Sequence, residues 1–225
     1  MRRQAAVTER RHLHPIADVR QLEAVAIPLS LDTLRRAGLG AFFRARDVAR
    51  LGLAYHQLQR MVRTGDVEAM GGGLYRLAAV EPTELETIAM VAAAIPHAIV
   101  CLLSALRVHE IGTQVPREVW LAIDRKARKP LHPPAAVRIV RFSGPMLRYG
   151  VVTQPMLGVR VSITNPARTV VDCFRYRNKI GLDVALEALR DVVRSRKATV
   201  SELDRAAEMC RIRSVIAPYL DAVSA

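Results

Sequence analysis

Aromatic residues are scarce in this chain, which has one Trp, five Tyr and four Phe among its 225 residues. Apolar residues nevertheless make up 51% of the sequence, a share that excludes wholesale disorder. Any core must therefore be built chiefly from Ala, Val, Leu and Ile. The length is long for one compact domain and sufficient for two.

Cysteine is also rare, and the three residues Cys101, Cys173 and Cys210 lie far apart in the sequence. There is no CxxC pair and no set of Cys and His with zinc-ligand spacing, so neither a metal nor a cofactor is expected. The cysteines lie in apolar stretches, where a reduced thiol behaves as a small hydrophobe. Together with an amino terminus that has no apolar signal region, this predicts a cytoplasmic protein.

One uncharged run, from Thr87 to Leu106, approaches the length of a membrane span. Pro96 and His97 interrupt it, and acidic residues precede it where a positive flank would be expected. We therefore predict a buried helix, a break and a second buried element, and no membrane contact.

Acidic residues are few relative to basic ones, which leaves a net charge of +13. A surplus of this size favours anionic partners, because Lys and Arg displace counterions from a phosphate backbone. It does not distinguish DNA from RNA, an acidic protein or an anionic membrane.

The pattern from Ser30 onward predicts a winged helix-turn-helix over residues 30–79, preceded by an arm over residues 1–29. Ser30 is a candidate helix cap, and Gly38 and Gly52 are candidate helix ends. A third helix over residues 54–64 precedes a strand near Val67, a glycine-rich turn and a returning strand over residues 74–77. Three helices and a hairpin in this order are typical of that DNA-binding class.

In this class the third helix enters the major groove, where Gln pairs with adenine and Arg with guanine. Residues at the start of the second helix and after the hairpin are placed to reach phosphates. The alternative is an ordinary solvated helix in a scaffold without a DNA role. The predicted DNA contacts are Arg44, Arg46, Tyr55, His56, Gln59, Arg60, Arg63 and Arg76.

Residues 80–225 are predicted to form a second, mixed domain, so the chain as a whole is expected to be α+β. A capping box formed by Thr83 and Glu86 should start its first helix. Three strand-like runs follow, over residues 118–124, 136–142 and 159–164, and the end is helical.

Three polar sets in this second part are candidates for chemistry. Asp124 and Lys126 have the spacing of a Mg²⁺-dependent nuclease, but Glu118 lies upstream on the same strand and no acid is found on a preceding strand. Ser104 lacks a GxSxG elbow, and His109 lies on another helical face. Arg168 and Asp172 have the spacing of an ion pair within one helix. We expect structural or partner-binding roles for Ser104, His109, Arg168 and Asp172, and no catalytic residue.

Four segments in succession resemble the motifs of AbiEi antitoxins, which belong to type IV toxin–antitoxin, or abortive infection, systems. They read GGGLYRL, AIVCLLSALRVHEIG, PREVWLAI and VSITNPARTVVDCFRYRNKIGLDVALEALR, and the resemblance runs from about Leu31 to Ala225. It implies a bacterial autorepressor whose winged helix-turn-helix binds inverted repeats in its own promoter. It further implies a second domain that counteracts a nucleotidyltransferase-like toxin, in a monomer or weak dimer that pairs on double-stranded DNA.

Two other functions stay open at this point. One is a plain transcriptional regulator with a sensing second domain, and the other is a nuclease of the restriction-endonuclease type. The nuclease requires a metal-binding acid cluster, of which the sequence contains only half.

Overall fold

The structure is a computed structural model that describes residues 30–81 and 83–224. The arm predicted over residues 1–29 lies outside the described residues. The described part is α+β, with helices and strands arranged around two sheets, as the sequence predicts.

The amino-terminal part combines three short helices with a three-stranded antiparallel sheet. Its elements are α1 (Leu31–Arg36), β1 (Phe42–Arg44), α2 (Ala45–Arg50), α3 (Tyr55–Thr64), β2 (Val67–Gly71) and β3 (Leu74–Leu77), and the strand order is β1-β3-β2. The Ser30 hydroxyl accepts a hydrogen bond from the Thr33 N–H at 3.1 Å, which confirms the predicted cap of α1. Gly65 ends α3 in the left-handed conformation, at φ 79°.

Strand β1 was not expected from the sequence. It has three residues and passes directly into α2, so no alternation of apolar and polar residues distinguishes it from a loop. Its pairing partner, β3, lies about thirty residues further along the chain, with Phe43 opposite Tyr75. The strand is therefore defined by a long-range pairing and not by local preference.

The second part contains a five-stranded mixed sheet. Its elements are α4 (Glu86–Ala94), β4 (Ile99–Val100), α5 (Leu102–Val108), β5 (Val119–Asp124), β6 (Val137–Phe142), a 3₁₀ helix (Gly144–Leu147), β7 (Val151–Met156), β8 (Val159–Thr164), α6 (Pro166–Arg175), α7 (Arg177–Ile180), α8 (Leu182–Arg194), α9 (Val200–Met209) and α10 (Arg213–Ser224). The strand order is β6-β5-β4-β8-β7. The pairs β5–β6 and β4–β8 are parallel, whereas β4–β5 and β7–β8 are antiparallel.

The long uncharged run is divided between α4 and α5, as predicted, with Pro96 and His97 in the break between them. None of the helices in residues 30–81 and 83–224 is long and apolar enough to cross a membrane.

Strand β5 is buried on both faces of the larger sheet. Trp120 and Ala122 pack into a core with α5, α6 and α8, whereas Leu121 and Ile123 pack on the opposite side with α4. Side chains alternate between the faces of a strand, so a continuous apolar run fits a strand covered on both sides.

Two features of the second part differ from the sequence expectations. The capping box of Thr83 and Glu86 does not form, because α4 begins at Glu86 with Leu85 as its cap, and the Glu86 carboxylate instead accepts a hydrogen bond from Arg76. Strand β7 was not predicted. It is an edge strand that contains Pro155, a residue that argues against a strand when only the sequence is considered.

The two parts of the chain are in direct contact. The Ala41 N–H donates to the Leu157 carbonyl at 2.7 Å. Phe42 and Leu74, on the small sheet, belong to the same buried cluster as Ile88 of α4. The amino-terminal part therefore has a core of its own on one face of its sheet and shares a core with the second part on the other face.

Gly40 and Gly158 make the closest approach at this junction. A Cβ atom added to Gly40 would lie 2.4 Å from the carbonyl carbon of Gly158 and 2.6 Å from the nitrogen of Val159. Both clashes are with backbone atoms, which cannot turn aside as a flexible side chain would. Only a residue without a side chain fits here.

We predict that Gly40→Ala loosens the junction, because Gly40 has no positive φ and the substitution adds only the steric clash. Overpacking of this kind costs about 1–3 kcal/mol. The expected result is a lower melting temperature together with faster limited proteolysis between the two parts of the chain. Gly38→Ala is the control, because its added Cβ meets nothing within 4 Å and only its positive φ is strained. Equal proteolysis rates in the two variants would contradict the prediction.

Candidate functional site

Helix α3 has one buried and one exposed face, as predicted. Leu58 and Met61 are buried in the core of the amino-terminal part, and Val62 is partly buried against it. At 100° per residue, His56, Arg60 and Arg63 fall within a narrow arc on the opposite side, and all three are exposed. The centre of the exposed face of α3 is therefore basic and polar, and α3 itself contains no acidic residue.

Tyr55 and Gln59 flank this arc on the side of strand β3. Tyr55 is exposed, and the Gln59 side-chain amide donates to the Tyr75 hydroxyl at 3.4 Å. The pKa of Tyr75 is raised, first by its hydrogen bond with Tyr55 and then by burial. Tyr75 thus links two predicted contact residues to the sheet. The sequence does not single it out, because the apolar pattern of β3 assigns it to the core.

Arg46 and Arg44 differ, although both were predicted to reach phosphates. Arg46 is exposed near the start of α2. Arg44 is half-buried, and its guanidinium donates to the Ala94 carbonyl at 2.7 Å and to the Gly72 carbonyl at 2.8 Å. The Arg44 guanidinium connects the hairpin to the end of α4, so we withdraw it from the predicted DNA contacts.

Arg76 is also bound within the protein. Its Nε donates to the Glu86 carboxylate at 2.9 Å, a second nitrogen donates to the Val80 carbonyl at 3.0 Å, and Glu68 lies 3.6 Å away. Its side chain is only 13% exposed. These partners leave no free guanidinium for a phosphate, so the predicted role of Arg76 in DNA contact is replaced by a structural one at the junction.

In the second part, Ser104 and His109 form hydrogen bonds with two different strands. The Ser104 hydroxyl is buried and accepts a hydrogen bond from the Trp120 N–H of β5 at 2.9 Å. His109 Nε2 donates to the Thr164 carbonyl of β8 at 2.6 Å, and burial lowers its pKa. The structure therefore does not bring these two residues together as a nucleophile and a base, in keeping with the structural interpretation from the sequence.

Arg168 and Asp172 form a fully buried ion pair on α6, with the Arg168 Nε 2.9 Å from each carboxylate oxygen. Arg168 also donates to the carbonyls of Tyr149 and Met146, at 2.6 and 3.3 Å, and its guanidinium lies over the Phe142 ring at 4.9 Å. The pair thus joins α6 to the 3₁₀ helix and to the end of β6. Such an arrangement organises the core and exposes no charge for chemistry.

Burial dominates the titration of the groups around this pair. It raises the pKa of Asp172 to about 6, although the nearby Arg168 cation opposes the shift. The thiols of Cys101, Cys173 and Cys210 are free and buried, and burial raises the pKa of each. A thiol with a raised pKa is a poor nucleophile, which agrees with their predicted role as small hydrophobic residues.

The residues considered for a nuclease do not converge. Glu118 immediately precedes β5 and forms an ion pair with Arg138 at 2.9 Å, whereas Asp124 ends the same strand, about 20 Å away along an extended chain. An Asp124 oxygen accepts a hydrogen bond from the Lys126 N–H at 2.7 Å and so shapes the following turn. Within residues 30–81 and 83–224, no three His, Cys, Asp or Glu residues are grouped so as to hold a metal ion.

Comparisons with known proteins bear on the fold. No protein-family model matches the chain, and no curated protein matches its sequence. Among solved structures, the crystal structure of the RV2827C protein from Mycobacterium tuberculosis is similar, with a TM-score of 0.50 and 13% identity over 79% of this chain and 69% of that chain. At this identity the likeness concerns the fold alone, and the resemblance to AbiEi antitoxins stays a prediction.

We predict that Asp172→Ala lowers the free energy of unfolding by about 3–5 kcal/mol, because it leaves the Arg168 cation buried without its counter-ion. The measurement is urea denaturation at a pH well above 6, where the carboxyl group is ionised. Asp124→Ala is the control and should cost about 1 kcal/mol, since it removes one hydrogen bond at the edge of a loop. An equal loss of unfolding free energy in the two variants would show that the buried ion pair stabilises the protein no more than the Asp124 hydrogen bond does.

Proposed function

We propose that this protein is a DNA-binding transcriptional autorepressor and the antitoxin of a type IV toxin–antitoxin system, without chemistry of its own. The observation that carries the DNA-binding half is the exposed basic face of α3 within the order α1-β1-α2-α3-β2-β3. That order, with an antiparallel hairpin directly after α3, supports a winged helix-turn-helix in which α3 is the reading helix.

The proposed contacts divide into base-reading and backbone contacts. His56, Gln59, Arg60 and Arg63 would face the base edges in the major groove, where Arg pairs with guanine and Gln with adenine. Arg46 would reach a phosphate from the start of α2. The hydrogen bond from Gln59 to Tyr75 uses one N–H of the amide, and the carbonyl oxygen and the second N–H stay free for a base.

Salt dependence follows from the charge of the chain. With a net charge of +13, binding would release counterions from DNA and weaken steeply as salt is added.

Two copies, each a monomer or part of a weak dimer in the cytoplasm, would occupy the two halves of an inverted repeat. A two-fold arrangement of copies matches the symmetry of such a site.

We predict that Gln59→Ala and Arg60→Ala each weaken binding to the upstream region of the gene by about 1–3 kcal/mol and relax the preference at one base position. Fluorescence anisotropy with an operator duplex and with a shuffled duplex measures both effects. Arg190→Ala is the control, because Arg190 is exposed on α8 in the second part and should leave the preference unchanged. Equal affinity of the wild-type protein for the two duplexes would refute sequence-specific binding.

The antitoxin half of the proposal rests on the resemblance to AbiEi antitoxins in residues 80–225. Ser104, His109, Arg168 and Asp172 are engaged in contacts within this domain, so they would support its core, and exposed residues of the domain would contact the toxin. The partner implied is a nucleotidyltransferase-like toxin encoded next to this gene.

We predict that the full chain restores the growth of cells that express this toxin from an inducible promoter. An Arg60→Ala, Arg63→Ala double variant should restore growth equally well. The inducible promoter removes the toxin from operator control, and both substitutions lie outside the second part of the chain. Asp172→Ala should fail to restore growth, because its core is destabilised. Toxicity that the wild-type chain does not relieve would favour a plain regulator, and Mg²⁺-dependent DNA cleavage lost in a folded Asp124→Ala variant would favour the nuclease.

A further inference from the structure

The tip of the β2–β3 hairpin has no basic side chain of its own. It consists of Met70 and the three glycines Gly71, Gly72 and Gly73. The two nearby arginines, Arg44 on β1 and Arg76 on β3, are bound to protein carbonyls and carboxylates. A hairpin that lies against DNA needs donors for the phosphate oxygens, and the side chains of this hairpin do not supply them.

A loop of the second part lies beside this hairpin. The loop connects β5 to β6, and its residues 130–134 line one cleft of about 440 Å³ together with Met70, Gly71 and Gly72. The hydrogen bonds of Arg44 to Gly72 and to Ala94 hold the hairpin against the end of α4 on the same cleft. The hairpin tip therefore lies beside residues 130–134 of the loop, which directly follow the segment 125–129 in the chain.

This loop is strongly basic where the hairpin is not. Arg125, Lys126, Arg128 and Lys129 are all exposed, and none of them forms an ion pair with another residue that the structure describes. The neighbouring Asp124 carboxylate is bound to the Lys126 N–H instead of a basic side chain. Four cations thus lie within five residues.

The backbone of the loop is held in place before any partner binds. Arg141 donates to the carbonyls of Asp124 and Ala127, at 2.8 and 2.6 Å, and the Arg125 N–H donates to the Phe142 carbonyl at 2.9 Å. Three prolines, Pro130, Pro133 and Pro134, restrict the rest of the loop. Because the loop is already ordered, little conformational entropy is lost when it meets a ligand.

We infer that the basic β5–β6 loop binds the phosphate backbone of the DNA duplex next to the hairpin, so that the second part supplies cations that the hairpin lacks. This inference rests on the proposed DNA-binding function and assigns a second, sequence-independent contact surface to it. The loop would add affinity without base preference, because phosphate contacts carry no direct sequence information.

The test replaces the four basic residues together, as Arg125→Gln, Lys126→Gln, Arg128→Gln and Lys129→Gln in the full chain. The salt dependence of binding is then measured by anisotropy on the operator duplex and on a shuffled duplex. Each lost phosphate contact lowers the slope of log K against log salt by about 0.9. We expect a slope smaller by about 2–4, weaker binding to both duplexes and an unchanged ratio between them.

A matched control removes the same charge elsewhere, as Arg190→Gln, Arg196→Gln, Arg205→Gln and Arg211→Gln, at exposed positions in the carboxyl-terminal helices and the turns that follow them. Its slope should stay near that of the wild-type protein. Equal slopes in the loop variant and the control, with wild-type DNA binding intact, would overturn this inference alone. A loop variant that keeps the wild-type slope but no longer relieves the toxin would also overturn it, because the loop would then bind the toxin. Absence of salt-dependent binding by the wild-type protein would overturn both this inference and the proposed function.

Discussion

The backbone contact between Gly40 and Gly158 determines how the two parts of this chain fit together. It allows the small sheet to approach β8 so closely that Ala41 donates a hydrogen bond to Leu157. The same approach places Phe42 and Leu74 against α4 and so merges the cores of the two parts. The hairpin is consequently held beside the β5–β6 loop, and the proposed DNA surface extends across both parts.

Arginine has two distinct uses in this protein. Arg44, Arg76 and Arg168 direct their guanidinium groups inward, where they donate to carbonyls and carboxylates and connect different elements of the fold. Several parallel donors on one planar group suit this role. Other arginines, such as Arg60 and Arg63, are exposed. The number of arginines therefore overstates how many guanidinium groups are available to a partner, and the position of each guanidinium matters more than the total.

Much of the local structure could be predicted from the sequence, because it depends on neighbours in the chain. Caps such as Ser30 and Asn165 use hydrogen bonds within one turn, and the exposed face of α3 follows from its apolar spacing. The i,i+4 spacing of Arg168 and Asp172 likewise indicated their ion pair before the structure placed it in a core. Strands β1 and β7 could not be predicted, because each is defined by its pairing with another strand. Pro155 is tolerated in β7 because this strand lies at the edge of the sheet.

Part of the candidate site could likewise be predicted from the sequence, and part of it depends on the tertiary structure. The sequence by itself determined that α3 has a basic face, because helical periodicity alone separates Leu58 and Met61 from His56, Arg60 and Arg63. Only the tertiary structure decided that Arg44 and Arg76 are bound internally. It also placed residues 130–134, which directly follow the basic residues 125–129, beside the hairpin. The partners of Arg44 lie 28 and 50 residues away, and Glu86, which pairs with Arg76, belongs to the second part of the chain. No local pattern encodes which carbonyl, carboxylate or loop the fold brings to these side chains.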